Sequence, residues 1–298
     1  MPTLCLGEAL VDLVCERPVS DIAQADSFVP RFGGATANVA VTAARHRASI
    51  ALAGGAGDDA WGRWLRSRLE TEGVDLRWFE LLGEVRTPIA FVTTDSAGEP
   101  SFEIYGEAIE TVMHSLAGGL EEAVEACSGL FFGSNTLVSE REREVTMAAR
   151  EQALALERPV IFDPNLRLHR WSSRADAAAS ANACVPGALL VRCNQAEAAL
   201  MTGEEDPERA ASALVKAGAR LVVITLGAEG AILRGEHKLD VDGVAVNVVS
   251  AAGAGDALTG VLLAHLARTN YYPPAVAAGL KEGVAEAARA CERWSALT

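Results

Sequence analysis

The stretch Gly253-Ala254-Gly255-Asp256 carries the strongest indication of what kind of protein this chain is. It follows an apolar, β-branched run at 244–249 and precedes an apolar run of helical character at 257–266. Glycines between a strand and a helix let backbone N–H groups converge at the helix N-terminus, which binds anions. A carboxylate beside an anion is repelled, so Asp256 suits one task there, which is accepting the proton of a hydroxyl that attacks the anion. Taken alone, the four residues fit equally a plain strand–turn–helix in which Asp256 caps the helix.

The composition limits the classes of ligand and compartment. Half of the 298 residues are hydrophobic, so a large core is available, and the formal net charge is −14. We therefore expect no nucleic-acid or membrane partner, and an anionic ligand would have to be held by local devices. The chain shows no signal-peptide pattern, no apolar run of membrane-spanning length and no C-x-x-C pair among its six cysteines. These features predict a cytoplasmic protein with reduced thiols and no structural metal.

The order of apolar segments predicts an α/β fold with a mostly parallel central sheet and helices on both faces. Short apolar strands alternate with helical stretches over the second half of the chain, and we expect these strands at 129–132, 159–162, 189–193 and 221–225. A hairpin-like stretch follows at 230–249. Two β-rich pieces, roughly 10–34 and 85–108, do not fit the alternation, and we interpret them as a small β lid inserted in one domain of residues 1–298.

A second glycine-rich helix start lies near the N-terminus of the chain. Gly33 and Gly34 allow close approach of a ligand to the backbone, and Asn38 follows one turn into the predicted helix. Together with Asp12 they supply hydrogen-bonding groups suited to the hydroxyls of a polyhydroxy ligand. An ordinary helix start is the alternative.

Polar residues also follow the predicted strands of the second half. The segment 163–167, Asp-Pro-Asn-Leu-Arg, ends one strand, and Arg167 could bind a phosphate or a carboxylate there. Asn194 and Glu197 lie one helical turn apart and could hold hydrated Mg²⁺, although the pair also fits a helix capping box. The loop 225–230, which contains Thr225, Gly227 and Gly230, is small enough to cradle a nucleotide.

One motif favours a different class of protein. Gly55-x-Gly57-x-x-Ala60 matches a loose dinucleotide fingerprint, which is typical of nicotinamide-dependent oxidoreductases. No acid clearly ends a second strand about 20 residues later, and Asp58 and Asp59 would repel a pyrophosphate. We therefore favour a tight turn in which an Asp caps the following helix.

Taken together and in this order, these motifs resemble those of the ribokinase-like (pfkB) carbohydrate kinases over nearly the whole chain. The resemblance implies a ribokinase-like three-layer α/β sandwich with a β-strand lid, and ATP and Mg²⁺ as cofactors. It implies that Asp256 is the catalytic base, and that the backbone of Gly253, Ala254 and Gly255 forms the anion hole. On this interpretation Asp256 need not have a raised pKa, because positioning can matter more than basicity. The resemblance implies that the sugar is bound by Asp12, Gly33, Gly34, Asn38, Tyr105 and Arg167. It implies that ATP is bound by Asn194, Thr225, Gly227, Gly230 and Gly255, and that Glu197 holds Mg²⁺ indirectly.

Departures from the family pattern bear on the substrate and on cations. The positions before the anion hole are Ser250-Ala251-Ala252 where the family usually has Asp-Thr-Thr, so we do not expect strong K⁺ activation. The front half of the chain looks like fructokinases and 2-keto-3-deoxygluconate kinases, and Ala90 favours the former. Glu107 is unfavourable to an acidic or phosphorylated substrate. We therefore predict a fructokinase-like sugar kinase, with 2-keto-3-deoxygluconate, sugar-phosphate and nucleoside kinases as alternatives, and a homodimer formed through the lids.

Overall fold

The computed structural model describes residues 1–106, 108–295 and 297. The strands of this part of the chain are β1 (Thr3–Leu6), β2 (Leu10–Pro18), β3 (Val29–Gly33), β4 (Ile50–Gly57), β5 (Phe79–Leu82), β6 (Ile89–Thr94), β7 (Pro100–Tyr105), β8 (Gly129–Gly133), β9 (Val160–Asp163), β10 (Leu190–Asn194), β11 (Leu221–Thr225), β12 (Gly230–Gly235) and β13 (Leu239–Asp242). The helices are α1 (Ala35–Arg45), α2 (Ala60–Thr71), α3 (Ala108–Leu116), α4 (Leu120–Glu125), α5 (Glu140–Ala155), α6 (Arg174–Ala183), α7 (Gln195–Thr202), α8 (Pro207–Lys216), α9 (Ala254–Arg268) and α10 (Pro274–Cys291).

The central sheet has the strand order β13-β12-β11-β10-β9-β8-β1-β4-β5. The pairs from β11 to β5 are parallel, whereas β12 and β13 are added as an antiparallel hairpin at one edge. The four strands predicted in the second half of the chain agree with β8 to β11 within about one residue, because each is a short apolar run that ends at turn or cap residues. The predicted mostly parallel α/β sheet is therefore confirmed.

Helices cover both faces of this sheet and enclose two cores. Side chains of α3 to α8 form one core with the strands, and those of α1, α2, α9 and α10 form the other. Successive strand residues alternate between the cores: Leu4 and Leu6 of β1 face the first, and Cys5 faces the second. The three-layer arrangement that the resemblance implied is confirmed. No helix in the described ranges combines the length and the apolar character needed to cross a bilayer.

A second, four-stranded sheet has the order β3-β2-β6-β7 and corresponds to the predicted lid. Its strands come from residues 10–33 and 89–105, inside the two β-rich pieces identified in the sequence. Leu10, Val14, Ala90 and Val92 form a small separate core on it, against which Phe102 packs.

The segment just before α9 differs from the sequence prediction. Residues 243–249 form no strand, and Val244 and Val248 are exposed. The backbone N–H groups of Val249 and Ser250 donate instead to the carbonyl of Cys291, at 2.8 and 3.1 Å. The N–H of Ala251 donates to the carbonyl of Gly98 in the turn between β6 and β7, at 2.9 Å. We refer to residues 249–251, with their partners on the lid and at Cys291, as the lid junction.

A hydroxyl pair adds a side-chain contact to the lid junction. Thr94 Oγ1 donates to Ser250 Oγ at 3.2 Å, and both residues are buried. The missing side chain of Gly98 also matters, because a Cβ there would lie 2.6 Å from Val248 Cγ1. The turn of the lid therefore packs directly on the chain that leads into α9.

The glycines of the loose dinucleotide fingerprint do not form the predicted turn. Gly54 to Gly57 continue β4, all of them buried. A Cβ on Gly55 would lie 2.7 Å from the carbonyl oxygen of Glu80 in β5. These glycines thus allow close packing of strands, which gives no support to an oxidoreductase. Asp59 does cap α2, as the alternative interpretation had it, by accepting the N–H of Gly62 at 2.9 Å.

Candidate active site

A cavity of about 700 Å³ lies between the carboxyl ends of the central strands and the lid. Asp12 of β2, Gly34, Asn38 of α1, Arg167, Gly253 and Asp256 all line it, so the structure brings these predicted residues together. They come from widely separated parts of the sequence. The lid contributes an apolar wall, made by Leu10, Val14, Ala90, Val92, Phe102 and Ile104.

Asp256 lies in the first turn of α9 and is 6% exposed. Gly253 precedes the helix with a φ of 73°, in the left-handed region that favours glycine. Two amides hold the carboxylate: Asn38 Nδ2 donates to Oδ2 at 2.9 Å, and Asn165 Nδ2 donates to Oδ1 at 3.2 Å. The remaining lone pairs of both carboxylate oxygens stay available for a further donor.

The surroundings of Asp256 raise its pKa to about 7, chiefly because burial penalises the charged form. The hydrogen bond from Asn38 and the charges of Arg167 and Arg192 work in the opposite direction. From the sequence a raised pKa of Asp256 was not expected to be necessary, and the structure changes that expectation. A carboxyl group that titrates near neutral pH is suited to exchanging protons with a hydroxyl.

Asp12 places a second carboxylate in the same cavity. Its pKa is also raised to about 7, first by burial and then by the charge of Asp256, while Arg167 opposes the rise. Gly33 explains how the side chain fits, because a Cβ there would lie 2.3 Å from the carboxylate of Asp12. Gly33 is thus required for close packing, and it is Gly34 that lines the cavity itself.

Glu8 is a cavity residue to which the sequence analysis gave no role. It is 5% exposed and follows β1 at the carboxyl edge of the sheet. Its Oε1 accepts from the N–H of Ala35 and from Asn135 Nδ2, both at 2.9 Å, and its Oε2 accepts from Thr36 Oγ1 at 3.1 Å. The signal available in the sequence was an acidic residue two positions after an apolar strand.

Arg167 and a second, unpredicted arginine supply positive charge. The Arg167 guanidinium donates to Asn165 Oδ1 and lies 5.8 Å from the ring centroid of Phe102. Arg170 donates to the carbonyl of Asn135 at 3.0 Å and lies 3.7 Å from the carboxylate of Glu142. Asn135 follows β8, Glu142 lies in the first turn of α5 and Arg170 follows β9, and no short sequence motif brings these residues together.

The structure does not place Tyr105 at the cavity. In β7 the side chains of Phe102 and Ile104 face the cavity, whereas Tyr105 is 57% exposed and its ring packs edge-on against Phe91. Alternation along the strand puts neighbouring residues on opposite faces, so the sequence prediction chose the wrong face. Glu107, which the sequence analysis held unfavourable to acidic substrates, lies outside the described residues.

The predicted nucleotide residues other than Gly255, which lies in the first turn of α9, form a second group that follows β10 and β11, outside the cavity lining. Thr225 ends β11, and Gly227 adopts a φ of 61° with open space where a side chain would lie. Gly230 differs from them, because a Cβ there would lie 2.0 Å from the carbonyl oxygen of Val241. Its lack of a side chain thus serves the β12–β13 hairpin.

Asn194 and Glu197 form the predicted capping box of α7. Glu197 Oε2 accepts the N–H of Asn194 at 2.9 Å, and Oε1 accepts the N–H of Leu166 at 2.7 Å. Burial and the charge of Asp163 raise the pKa of Glu197. Because both carboxylate oxygens already hold backbone donors, the residue fits an indirect role toward Mg²⁺, through bound water. The part of the chain that the structure describes contains no cluster of three or more His, Cys, Asp or Glu residues able to hold a metal by themselves.

Several known proteins are similar to this chain in sequence. A family model described as pfkB family carbohydrate kinase matches residues 3–292. Fructokinase-2 of Oryza sativa subsp. japonica is 31% identical over 264 residues, which are 88% of this chain and 79% of that protein. Fructokinase-2 of Zea mays is 32% identical over 264 residues, with the same coverage of both chains.

Solved structures extend the similarity to the fold. A fructokinase from Vibrio cholerae O395, determined in a fructose-, ADP- and calcium-bound form, superposes with a TM-score of 0.85 at 29% identity, over 100% of this chain and 94% of that one. Aminoimidazole riboside kinase from Salmonella enterica has a TM-score of 0.84 at 26% identity, over 100% and 96%. The ribokinase-like fold expected from the sequence is confirmed, and the chain belongs to the pfkB family of carbohydrate kinases, as an ATP-dependent sugar kinase.

Proposed function

We propose that this sugar kinase transfers the γ-phosphoryl group of ATP to a hydroxyl of fructose or a closely similar neutral sugar. The observation that carries the proposal is the placement of Asp256, a buried carboxylate at the N-terminus of α9 that opens onto the cavity. The similarity to fructokinases over most of the chain supports the choice of sugar. The match over 3–292 supports one kinase domain for residues 1–298.

In this proposal Asp256 is the catalytic base. The hydroxyl oxygen of the sugar forms a bond to the γ-phosphorus, the bond from that phosphorus to the leaving oxygen of ADP breaks, and the carboxylate takes the hydroxyl proton. The N–H groups of Gly253, Ala254 and Gly255, at the positive end of α9, hold the negative charge of the transferred group. Asn38 and Asn165 fix the carboxylate in place.

The sugar is held by the polar residues of the cavity. Asp12 and Asn38 supply acceptors and a donor for its hydroxyls, Gly34 gives close access to the backbone, and Arg167 adds charged donors. Gly33 contributes indirectly, by leaving room for Asp12. The apolar lid wall then covers the sugar and excludes water.

ATP lies on the other side of the anion hole in this proposal. Asn194, Thr225 and Gly227 contact the nucleotide, Gly255 contacts its terminal phosphate, and Gly230 shapes the hairpin beside it. Mg²⁺, when bound, neutralises and orients the phosphates, and Glu197 would hold it through water.

One observation favours a nucleoside as a second candidate substrate. The cavity of about 700 Å³ has room beyond a single hexose, and a structural relative is an aminoimidazole riboside kinase. The acidic side chains of the cavity, Glu8, Asp12, Glu110 and Glu142, do not favour a phosphorylated or acidic sugar. We therefore place sugar-phosphate and 2-keto-3-deoxygluconate kinases behind both candidates.

The test is ADP release from Mg·ATP with fructose, ribose, 2-keto-3-deoxygluconate, fructose 6-phosphate and nucleosides as acceptors. We expect turnover with fructose, while turnover confined to a nucleoside would replace the proposal with its second candidate. Asp256→Asn should lower kcat by about 10²- to 10⁴-fold and leave ATP binding intact. Asp242→Asn, at an exposed position of β13, is the matched control. Intact turnover by Asp256→Asn would refute the role of the base.

We also propose a cytoplasmic homodimer without nucleic-acid or membrane partners. Among the described residues, the outer edges of β3 and β7 in the lid pair with no further strand, and this supports the dimer because exposed edges invite pairing. The net charge of −14 supports the lack of nucleic-acid and membrane partners, and the six free cysteines support the cytoplasmic location. Size-exclusion chromatography with light scattering tests the dimer, and a monomer at micromolar concentration would contradict it.

A further inference from the structure

Arg192 is a buried charge that the proposed mechanism has not used. It lies on β10, its side chain is 8% exposed, and its Nη1 donates to Asp163 Oδ2 at 3.2 Å. Its Nη2 donates to Thr225 Oγ1 at 2.9 Å, at the end of β11. Thr259 of α9 donates to the same oxygen of Asp163 at 2.7 Å. Three strands and one helix therefore meet at this guanidinium.

The guanidinium lies directly against the anion hole. A Cβ on Gly255 would lie 2.7 Å from Arg192 Nη1 and 2.8 Å from Nη2. Both terminal nitrogens thus occupy the space on which the first turn of α9 rests. A side chain at position 255 would therefore push the guanidinium away from the turn.

Stability alone does not account for this arrangement. In the described residues, Arg192 Nε and Asp163 Oδ1 are buried without a hydrogen-bond partner. A buried ion pair has a large desolvation cost, and an incompletely bonded pair recovers little of it. Well-packed apolar side chains would stabilise the same place at least as well. The charge of Arg192 beneath the first turn of α9 has a functional explanation instead, because that turn has to hold an anion.

We propose that Arg192 is a positioning residue for phosphoryl transfer. Its guanidinium supports the first turn of α9 from below, adds positive charge to the anion hole, and fixes the turn against the ends of β9 and β11. This inference rests on the proposed function of Gly253–Asp256. Arg192 acts through Gly255 and α9, and it does not touch the transferred group itself.

The charge of Arg192 also acts on the base. The groups that face Asp256 are Asn38 from α1, Asp12 from the lid, Asp163 at the end of β9, Asn165 and Arg167 after it, and Arg192 from β10. Arg192 lowers the pKa of Asp256, against the effect of burial. Removing the charge should therefore move the acid limb of the pH profile of kcat/KM to higher pH.

The experiment compares Arg192→Gln, which removes the charge, with Arg192→Lys, which keeps it. Arg234→Gln is the matched control, because Arg234 is also 8% exposed and ion-paired but lies on β12 away from the cavity. Calorimetry measures the affinities for Mg·ADP and for a non-hydrolysable Mg·ATP analogue without sugar. A second measurement is kcat/KM against pH, with the best acceptor found.

We expect Arg192→Gln to weaken binding of the ATP analogue more than that of ADP and to lower kcat about 10- to 100-fold. It should also move the acid limb of the pH profile of kcat/KM to higher pH. Arg192→Lys should retain most of each property, and Arg234→Gln should change none. Equal losses for both Arg192 variants, with an unchanged acid limb and an unchanged ratio of affinities, would overturn the proposal and leave a structural role. If Arg192→Gln fails to fold, Arg192→Gln combined with Asp163→Asn leaves neither partner as an unpaired buried charge. The same losses of ATP-analogue affinity and of kcat are expected from it, but no move of the acid limb to higher pH, because the charge of Asp163 raises the pKa of Asp256 and is removed as well.

The two proposals can fail separately. The ratio of affinities is measured without any acceptor, so an inactive enzyme with fructose would contradict the substrate assignment and leave this readout unaffected. A wild-type ratio in the double variant would overturn the role of Arg192 even if fructose is phosphorylated.

Discussion

Replacing Asp256 with Asn should stabilise the folded chain increasingly as the pH rises. The pKa of Asp256 is raised from 3.8 to about 7, so the folded state holds its proton more tightly than the unfolded state does. Such a group stabilises the fold fully below about pH 4, and this stabilisation is lost as the pH rises through 7. A rise of that size corresponds to about 4 kcal/mol against the ionised form. The neutral amide of the Asp256→Asn variant would remove that cost.

The size of the effect between two measurable pH values follows from the same pKa. From pH 5 to pH 8 the carboxyl group changes from almost fully protonated to almost fully ionised, so the wild type should lose about 3 kcal/mol of unfolding free energy relative to the variant. The amide introduced by Asp256→Asn can accept from Asn38 or Asn165 but loses part of the present network, which costs about 1 kcal/mol at every pH. The slope with pH is therefore the quantity to measure.

The assay is urea denaturation of both proteins at pH 5, 6, 7 and 8, without ligands. Asp242→Asn, at an exposed position, should give a curve parallel to the wild type. Parallel curves for the wild type and Asp256→Asn over this range would refute the reasoning, because the carboxyl group would then titrate far below pH 7.

Three further predictions concern catalysis and substrate binding. With a carboxyl pKa of about 7, kcat/KM should fall as the pH drops through 7, and a flat profile down to pH 5 would contradict Asp256 as base. Phe102→Ala removes a cavity wall and the ring near Arg167, so KM for the sugar should rise about fivefold, equivalent to about 1 kcal/mol, whereas Tyr105→Ala on the outer face should leave it unchanged. Turnover should be equal in K⁺ and in tetramethylammonium buffers, since Ser250 offers a buried hydroxyl in place of a carboxylate; strong K⁺ activation would disprove this.

Much of the central fold could be predicted because its signals are local. β8 to β11 are short apolar runs bounded by turn and cap residues, and the caps of α2 and α7 can be recognised from Asp59 and from Asn194 with Glu197. The cavity side of the site could also be predicted, since Asp12, Asn38 and Asp256 each follow a recognisable glycine or strand pattern.

The errors arose where distant partners decide the structure. The run 244–249 has strand propensity, but it pairs with no strand of the described residues, and Val249 at its end donates its backbone N–H to the carbonyl of Cys291. To predict which way Tyr105 faces, one has to know which residues of β7 face the cavity, and only the pairing of β7 with β6 fixes this. The contact of Arg192 with Gly255 joins two segments that are far apart in the sequence, and no periodicity reports it.

The lid junction affects how readily the enzyme would hydrolyse ATP without phosphorylating a sugar. Gly98 and Thr94 of the lid bond to Ala251 and Ser250, just before Gly253. An outward swing of the lid must break these bonds or drag the entrance of α9 with it. We therefore expect residues 253–255 to adopt their phosphate-binding conformation only when a sugar fills the cavity. Water alone should then be a poor acceptor of the phosphoryl group. The hydrogen bonds that hold the lid closed would thus also suppress the hydrolysis of ATP in the absence of a sugar.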